Sequence, residues 1–281
     1  MCDQDHFEED MQKYSRRDLG VFAAGLSAAL MLPRPANAAE VAGNDVMIET
    51  DDGKCDAFFV TPKEGTHAAV LIWPDIFGLR PAFRKMGTRL AESGYSVLVV
   101  NPFYRMQPAP TASNGANTSI RDVIPMARSL TPEIHMKDAK SFVAWLDEQP
   151  QVDTGRKIGT TGYCMGGPIV FRTAAAVADR IGAAATFHGG GLATDDENSP
   201  HLLIPKMKAQ FLIAIAENDD QRDPQSKDTL RDAFSDSHLK AEIEVYPAGH
   251  GWCPPDTRVH NETQAEKAWA RMLKLFEQAL A

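Results

Sequence analysis

The sequence is poor in cysteine, in clustered basic residues and in long apolar runs, and each shortage excludes a class of protein. Four cysteines in 281 residues are too few for the disulfide framework of a small secreted scaffold. A formal net charge of −9 argues against nucleic acids and anionic membrane surfaces as partners, because both attract basic patches. After the N-terminal region, no stretch is long and apolar enough to cross a bilayer, which takes about 20 residues.

Residues 1–38 have the pattern of an export signal. The arginine pair at 16–17 precedes the apolar stretch Leu19–Leu32, and an Ala-x-Ala site ends at Ala38. These are the parts of a secretory signal peptide, and the paired arginines indicate the twin-arginine route. We expect cleavage after Ala38, transient contact with the export machinery, and a periplasmic or secreted domain at 39–281 without stable membrane anchoring. A retained, membrane-anchoring N-terminus is the alternative.

After residue 40, apolar β-type runs alternate with segments of helical spacing, which predicts an α/β-hydrolase-like fold with a mostly parallel sheet covered by helices on both faces. The predicted strands are 46–50, 55–61, 68–73, 95–100, 157–161, 181–187, 210–216 and 242–246, and the predicted helices are 83–93, 137–148, 167–178, 225–235 and 263–280. Residues 101–132 form an irregular segment too long for a simple connection, which predicts a lid, a substrate loop or a mobile insertion.

A Gly-x-Cys-x-Gly pattern at 162–166 joins a predicted strand directly to a predicted helix. It is the pattern of a nucleophile elbow with sulfur in place of the usual serine oxygen. Gly162 and Gly166 let strand and helix approach closely, and the N-terminus of the helix favours a thiolate at Cys164. A tight turn with a buried structural cysteine would also fit.

Two downstream positions supply the base and the acid that a thiol nucleophile needs. His250 follows the strand that ends at 246, and Asp219 follows the strand that ends at 216. The order nucleophile, acid, histidine is that of α/β-hydrolases. We therefore predict a triad of Cys164, Asp219 and His250, with Asp220 as the alternative acid. The oxyanion hole is expected from the backbone N–H groups of Met165 and Ile76.

Three motifs together resemble the dienelactone hydrolase family: Gly-Tyr-Cys-Met-Gly-Gly at 162–167, Asp-Ile-Phe-Gly at 75–78 and Gly-His-Gly-Trp at 249–252. The resemblance covers roughly residues 45–280. It implies a cofactor-free, carboxymethylenebutenolidase-like hydrolase that cleaves lactones or esters through a thioester on a Cys-His-Asp triad.

The sequence departs from the family's pattern at two places. The family's glutamate before Ile-Phe-Gly, which contacts the resting thiol, is here the shorter Asp75, so that contact is expected to be looser or absent. The arginine that grips the substrate carboxylate, four residues after the histidine, is here Pro254. Loss of this clamp removes a main specificity element, so dienelactone itself is not the expected substrate.

Further residues are candidates for substrate contact. His188 stands at a predicted strand end, and Tyr104 and Arg105 follow another strand. Cys253 is expected to be a packed thiol, and neither a metal site nor a dinucleotide loop is predicted. Two other functions fit the same sequence: a periplasmic binding module with a vestigial triad, and an acyltransferase in which another acceptor outcompetes water.

Overall fold

The computed structural model describes residues 32–33 and 38–281. The predicted signal peptide and its export route therefore fall almost entirely outside the described residues. Within them, eight strands form one sheet in the order β1-β2-β4-β3-β5-β6-β7-β8. The strands are β1 Val41–Thr50, β2 Gly53–Pro62, β3 Ala69–Trp73, β4 Ser96–Val100, β5 Ile158–Tyr163, β6 Ile181–Phe187, β7 Gln210–Ala216 and β8 Ala241–Tyr246.

The pairing confirms the predicted α/β-hydrolase architecture. β1 and β2 form an antiparallel hairpin, β2 pairs antiparallel with β4, and all remaining neighbours are parallel. The helices are α1 Pro81–Glu92, α2 Ile120–Ser129, α3 Pro132–Asp147, α4 Gly166–Ala176, α5 Glu217–Arg222, α6 Ser226–Asp236 and α7 Glu262–Ala279. None of these described helices has the length and apolar character that a transmembrane span requires.

The sheet has an apolar layer on each face. Because successive side chains of a strand point to opposite faces, Leu71 packs with Phe142 of α3 and Phe171 of α4. The neighbouring Val70 belongs instead to the layer on the other face, which also contains Phe83 of α1 and buried residues of α7. The fully buried strands β3 and β4 read as nearly continuous apolar runs, and this is why the sequence located them.

The segment 101–132 differs from the irregular segment expected from the sequence, because it contains helix α2. The side chain of Ser119 accepts a hydrogen bond from the backbone N–H of Arg121 and caps this helix. Pro125 lies inside it, and proline is a strong signal against a helix interior. The buried residues Ile120 and Val123 pack against the loop that follows β3, so α2 covers the carboxyl edge of the sheet.

Candidate active site

Cys164 occupies a sharp turn between β5 and α4. Its φ of 51° lies in the left-handed region, where residues other than glycine carry backbone strain. Its backbone N–H donates to the carbonyl oxygen of Phe187 at 3.0 Å, which ties the turn to β6. A Cβ on Gly162 would overlap the carbonyl group of Gly166. The glycines therefore permit the close strand-to-helix approach that the sequence predicts.

His250 lies in the loop after β8 and is held at both its backbone and its ring. Its Nδ1 lies 2.7 Å from Oδ2 of Asp219, and its backbone N–H donates to Oδ1 of Asn218 at 2.8 Å. A carboxylate only accepts hydrogen bonds, so Nδ1 carries a proton and the lone pair of the neutral ring is on Nε2. The alternative acid, Asp220, instead binds Lys227 at 2.7 Å.

Two cavities meet at Cys164. The smaller, of about 30 Å³, is lined by Cys164, His250 and His188 together with Asp75 and Ile76. The larger, of about 300 Å³, is lined by Cys164, Ile76 and Met165, and by Pro168, Gly190, Ile124, Ala127, Arg128 and His135. The structure thus brings the predicted nucleophile, base and oxyanion-hole residues to one connected region.

His188, a candidate for substrate contact, is fully buried beside His250. Its ring centroid lies 5.1 Å from that of His250 and 5.0 Å from that of Trp252. Burial, followed by the nearby charge of His250, lowers the pKa of His188 well below its ordinary value. A neutral imidazole at this position contributes no charge of its own to the cavity.

Asp75 is bound to an arginine that sequence reasoning did not single out. Its two carboxylate oxygens accept hydrogen bonds from Arg80 at 2.6 and 2.9 Å, and Oδ1 also accepts from the backbone N–H of Phe77. Arg80 reaches Asp256 as well. Burial acts to lower the pKa of Arg80, but the two carboxylates outweigh it and raise that pKa overall. The carboxylate of Asp75 thus borders the cavity as half of an ion pair.

Tyr104 and Arg105 are not brought to Cys164, contrary to the expectation of substrate contact. The Tyr104 hydroxyl donates to Asp138 at 3.0 Å, and Arg105 binds Asp138 and Asp52. These bonds hold both side chains against α3 and the β1–β2 hairpin. Neither residue lines either cavity at Cys164.

Several residues that line the cavities were not predicted from the sequence, although one of them follows a usable local signal. His135 precedes the predicted start of α3, yet Thr131 caps this helix and Pro132 is its first residue, a recognisable start signal. Arg128 lines the larger cavity, and Arg258 lines the smaller one.

The described cysteines Cys55, Cys164 and Cys253 are all buried and form no disulfide. Burial raises the pKa of Cys253 well above its ordinary value, as expected for a packed thiol. Burial likewise raises the pKa of Cys55. In the part of the chain with described coordinates, no group of three or more histidine, cysteine or acidic side chains is arranged to hold a metal ion.

Comparison with known proteins identifies relatives over most of the chain. The model of the dienelactone hydrolase family matches residues 55–280. A carboxymethylenebutenolidase from Rhodococcus opacus is 26% identical over 224 residues, which cover 77% of this chain and 83% of the relative.

Solved structures show the same fold. A dienelactone hydrolase-like promiscuous phosphotriesterase from metagenomic libraries superposes with a TM-score of 0.72 at 20% identity, covering 86% of this chain and 99% of that one. A dienelactone hydrolase from Anabaena variabilis gives a TM-score of 0.62 at 15% identity, with coverage of 86% and 99%.

Proposed function

Because this chain belongs to the dienelactone hydrolase family and is a hydrolase of esters or lactones, we propose that Cys164, His250 and Asp219 form its catalytic triad. The observation that carries this proposal is the shared cavity. Cys164 and His250 line the same small cavity, and Asp219 holds the far nitrogen of that histidine at 2.7 Å. A nucleophile, a base and a group that orients the base are the parts that covalent acyl transfer needs.

Acylation begins with the thiol proton. His250 takes the proton from Sγ of Cys164 on Nε2, and Asp219 stabilises the imidazolium that forms. Sulfur then attacks the carbonyl carbon of the ester or lactone, and the carbonyl oxygen becomes an oxyanion. The backbone N–H groups of Met165 and Ile76 stabilise this oxyanion, since both residues border the larger cavity beside Cys164.

The carbon–oxygen bond of the ester then breaks and the acyl group stays on sulfur as a thioester. The departing alkoxide takes the proton from His250 and leaves as an alcohol, or as a tethered hydroxyl in a lactone. A water molecule next gives a proton to His250 and attacks the thioester carbonyl. Cleavage of the carbon–sulfur bond releases the carboxylic acid, and the proton returns to Cys164.

A thiolate is a good nucleophile but a weak base, so this chemistry suits esters with good leaving groups and enol lactones better than amides. The clamp position at Pro254 has no guanidinium. Therefore the proposed substrate class is activated esters and lactones in general, and not dienelactone in particular.

Substitution of the nucleophile tests this proposal. Cys164→Ala should lower kcat for p-nitrophenyl acetate by at least about a thousandfold, while the thermal unfolding temperature stays close to that of the wild type. Cys164→Ser should also retain little activity, because the site is suited to a thiolate. Cys253→Ala is the matched control, since it removes a buried thiol that borders neither catalytic cavity. Retained turnover in Cys164→Ala would refute the covalent role.

We also propose export by the twin-arginine route, on the pattern at residues 15–38. Ala39 donates a backbone hydrogen bond to Glu92, so the folded domain includes the residue directly after the predicted cleavage site. Replacing both residues of the pair, Arg16→Lys with Arg17→Lys, should retain the enzyme in the cytoplasmic fraction of a producing bacterium. Unchanged fractionation, or a mature N-terminus elsewhere than Ala39, would contradict this proposal.

A further inference from the structure

His135 contributes an unusual polar group to the larger cavity. The residue belongs to α3 and is only 6% exposed, yet it lines the same cavity of about 300 Å³ as Cys164. The rest of the lining is mostly apolar, and the volume lies at the lower end of the roughly 300–1,000 Å³ typical of ligand pockets. A single buried polar side chain in such a wall is the kind of group that orients a ligand.

The hydrogen bond on the other side of the ring fixes which nitrogen carries the proton. Nδ1 of His135 lies 3.1 Å from Nη1 of Arg172. A guanidinium can only donate, so Nδ1 accepts and the proton of the neutral ring is on Nε2. Burial, followed by the charges of Arg172 and Arg105, lowers the pKa of His135 to about 3. The ring is therefore neutral at ordinary pH, and Nε2–H is a permanent donor.

This donor has no acceptor within the described part of the protein. Nε2 of His135 is a buried nitrogen without a hydrogen-bond partner, and buried donors are nearly always satisfied. Arg172 donates to Nδ1 of His135. Its positive charge therefore polarises the ring and makes Nε2–H a stronger donor. The side chains that line the cavity include the cation Arg128 and no carboxylate. The missing partner is therefore an oxygen from outside the protein, supplied by a water molecule or by a ligand. The ring must turn slightly for that oxygen to reach Nε2, because this nitrogen has almost no accessible surface.

We propose that His135 is a specificity-determining residue whose Nε2–H binds an oxygen acceptor on the acyl chain of the substrate. The inference rests on the proposed function, because the acyl chain occupies the larger cavity only when its carbonyl carbon is at Cys164. The substrate class is thereby narrowed to oxygen-bearing acyl groups, and the acceptor is an ether, hydroxyl or carbonyl oxygen or a carboxylate. The positive charge of Arg128 attracts a carboxylate on the acyl chain more strongly than it attracts a neutral oxygen.

Two matched ester pairs test the proposal. p-Nitrophenyl methoxyacetate differs from the butyrate by one oxygen in place of a methylene, and the p-nitrophenyl monoester of adipic acid differs from the hexanoate by a carboxylate in place of the terminal methyl. For each pair the ratio of kcat/KM values is measured in wild type and variants, so the intrinsic reactivity of each ester cancels between proteins. We expect His135→Phe to lower the ratio of at least one pair by about tenfold.

Two further variants separate hydrogen bonding from packing and charge. The amide of His135→Gln can accept from Arg172 and still donate into the cavity, so it should keep more of the preference than His135→Phe. His135→Gln also tests the proposal if His135→Phe does not fold. Arg128→Gln should lower only the adipate ratio. Arg121 lies on α2, as Arg128 does, but it lines neither cavity. Arg121→Gln is therefore the matched control and should change neither ratio.

The failures of the two proposals are distinguishable. If wild type shows no acyl adduct on Cys164 by mass spectrometry, both the proposed function and this inference are refuted. If the adduct forms but both ratios are unchanged in His135→Phe, only the His135 subsite is overturned. Equal changes in His135→Phe and Arg121→Gln would likewise overturn it.

Discussion

Arg80 and Asp75 form a bidentate ion pair whose side chains are 0% and 5% exposed. The same guanidinium binds Asp256 at 2.7 and 2.9 Å, and Asp256 in turn accepts from the backbone N–H of Gly115. One arginine thus joins the loop after β3, which carries Ile76, to the loop before α2 and to the loop after β8. The link thus holds the loop that carries the proposed oxyanion donor.

Removing the arginine should be strongly destabilising. In Arg80→Met two buried carboxylates lose their counter-ion, and such losses typically cost about 3–5 kcal/mol. We expect the free energy of unfolding in urea to fall by that amount, and kcat to fall as the Ile76 loop loses its position. The matched control is Arg231→Met, which breaks an exposed ion pair with Asp228 and should cost less than about 1 kcal/mol. Similar losses in the two variants would contradict a structural role for the buried pair.

The two adjacent acids on α5 should behave differently. Asp219→Asn replaces the acceptor of His250 Nδ1 and leaves the ring in the wrong tautomer, so kcat should drop by roughly a thousandfold to ten-thousandfold. Asp220→Asn only breaks an ion pair with Lys227 and should leave kcat within about twofold of wild type. The kcat values of the two variants, measured with the same ester, show which acid orients His250. A larger loss in Asp220→Asn would show that the acid has been assigned to the wrong residue.

The elbow should not accept a side chain at Gly162. A methyl group there would overlap the Gly166 carbonyl and approach Val170, and this backbone contact has little freedom to relax. Gly162→Ala should therefore lower the thermal unfolding temperature and abolish acylation of Cys164. Gly190→Ala is the control for stability, because an added Cβ at Gly190 meets no atom within 4 Å. An active, stable Gly162→Ala protein would refute the close-approach account.

The buried neutral histidine of the larger cavity should make stability depend on pH. The pKa of His135 is lowered to about 3 in the folded protein, against about 6.5 in an unfolded chain. As pH falls below about 6.5, the unfolded chain binds a proton that the native protein does not, so the stabilisation present above that pH is progressively lost. The free energy of unfolding of wild type should then fall relative to His135→Gln by about 1.4 kcal/mol per pH unit.

Urea unfolding at several pH values between about 4 and 7.5 measures this difference. Subtracting the variant from wild type removes the contribution of other titrating groups. Phe142→Leu, a substitution of a buried non-titrating residue on the same helix, should give an offset that is the same at each pH. A constant offset for His135→Gln as well would mean that the ring is not buried neutral in the native protein.

The sequence predicted those features that depend on short-range patterns. Apolar runs located strands such as β3 and β4, and the glycines around Cys164 located the elbow, because each pattern acts within a few residues. The strand ends also indicated Asp219 and His250, since parallel strands bring their carboxyl ends to one edge.

Partnerships across the fold were not predictable in the same way. Arg80 meets Asp256 from 176 residues away, and His135 meets Arg172 only because α3 and α4 pack side by side. Tyr104 and Arg105 follow a strand end, as the candidate site residues do, but both bind Asp138 on α3 and line neither cavity at Cys164. Helix α2 was not predicted because Pro125 lies inside it, and proline is a signal against a helix interior. In each case tertiary contacts decided what local pattern left open.

Pre-steady-state kinetics with p-nitrophenyl acetate show whether acyl transfer passes through a thioester on Cys164. The domain at 39–281 is mixed with the ester, release of p-nitrophenol is followed, and samples quenched in acid are examined by peptide mass spectrometry. We predict a burst of one p-nitrophenol per enzyme, an acetyl group on the peptide that contains Cys164, and steady turnover afterwards. Turnover with Cys164 reduced and unmodified throughout would contradict this prediction.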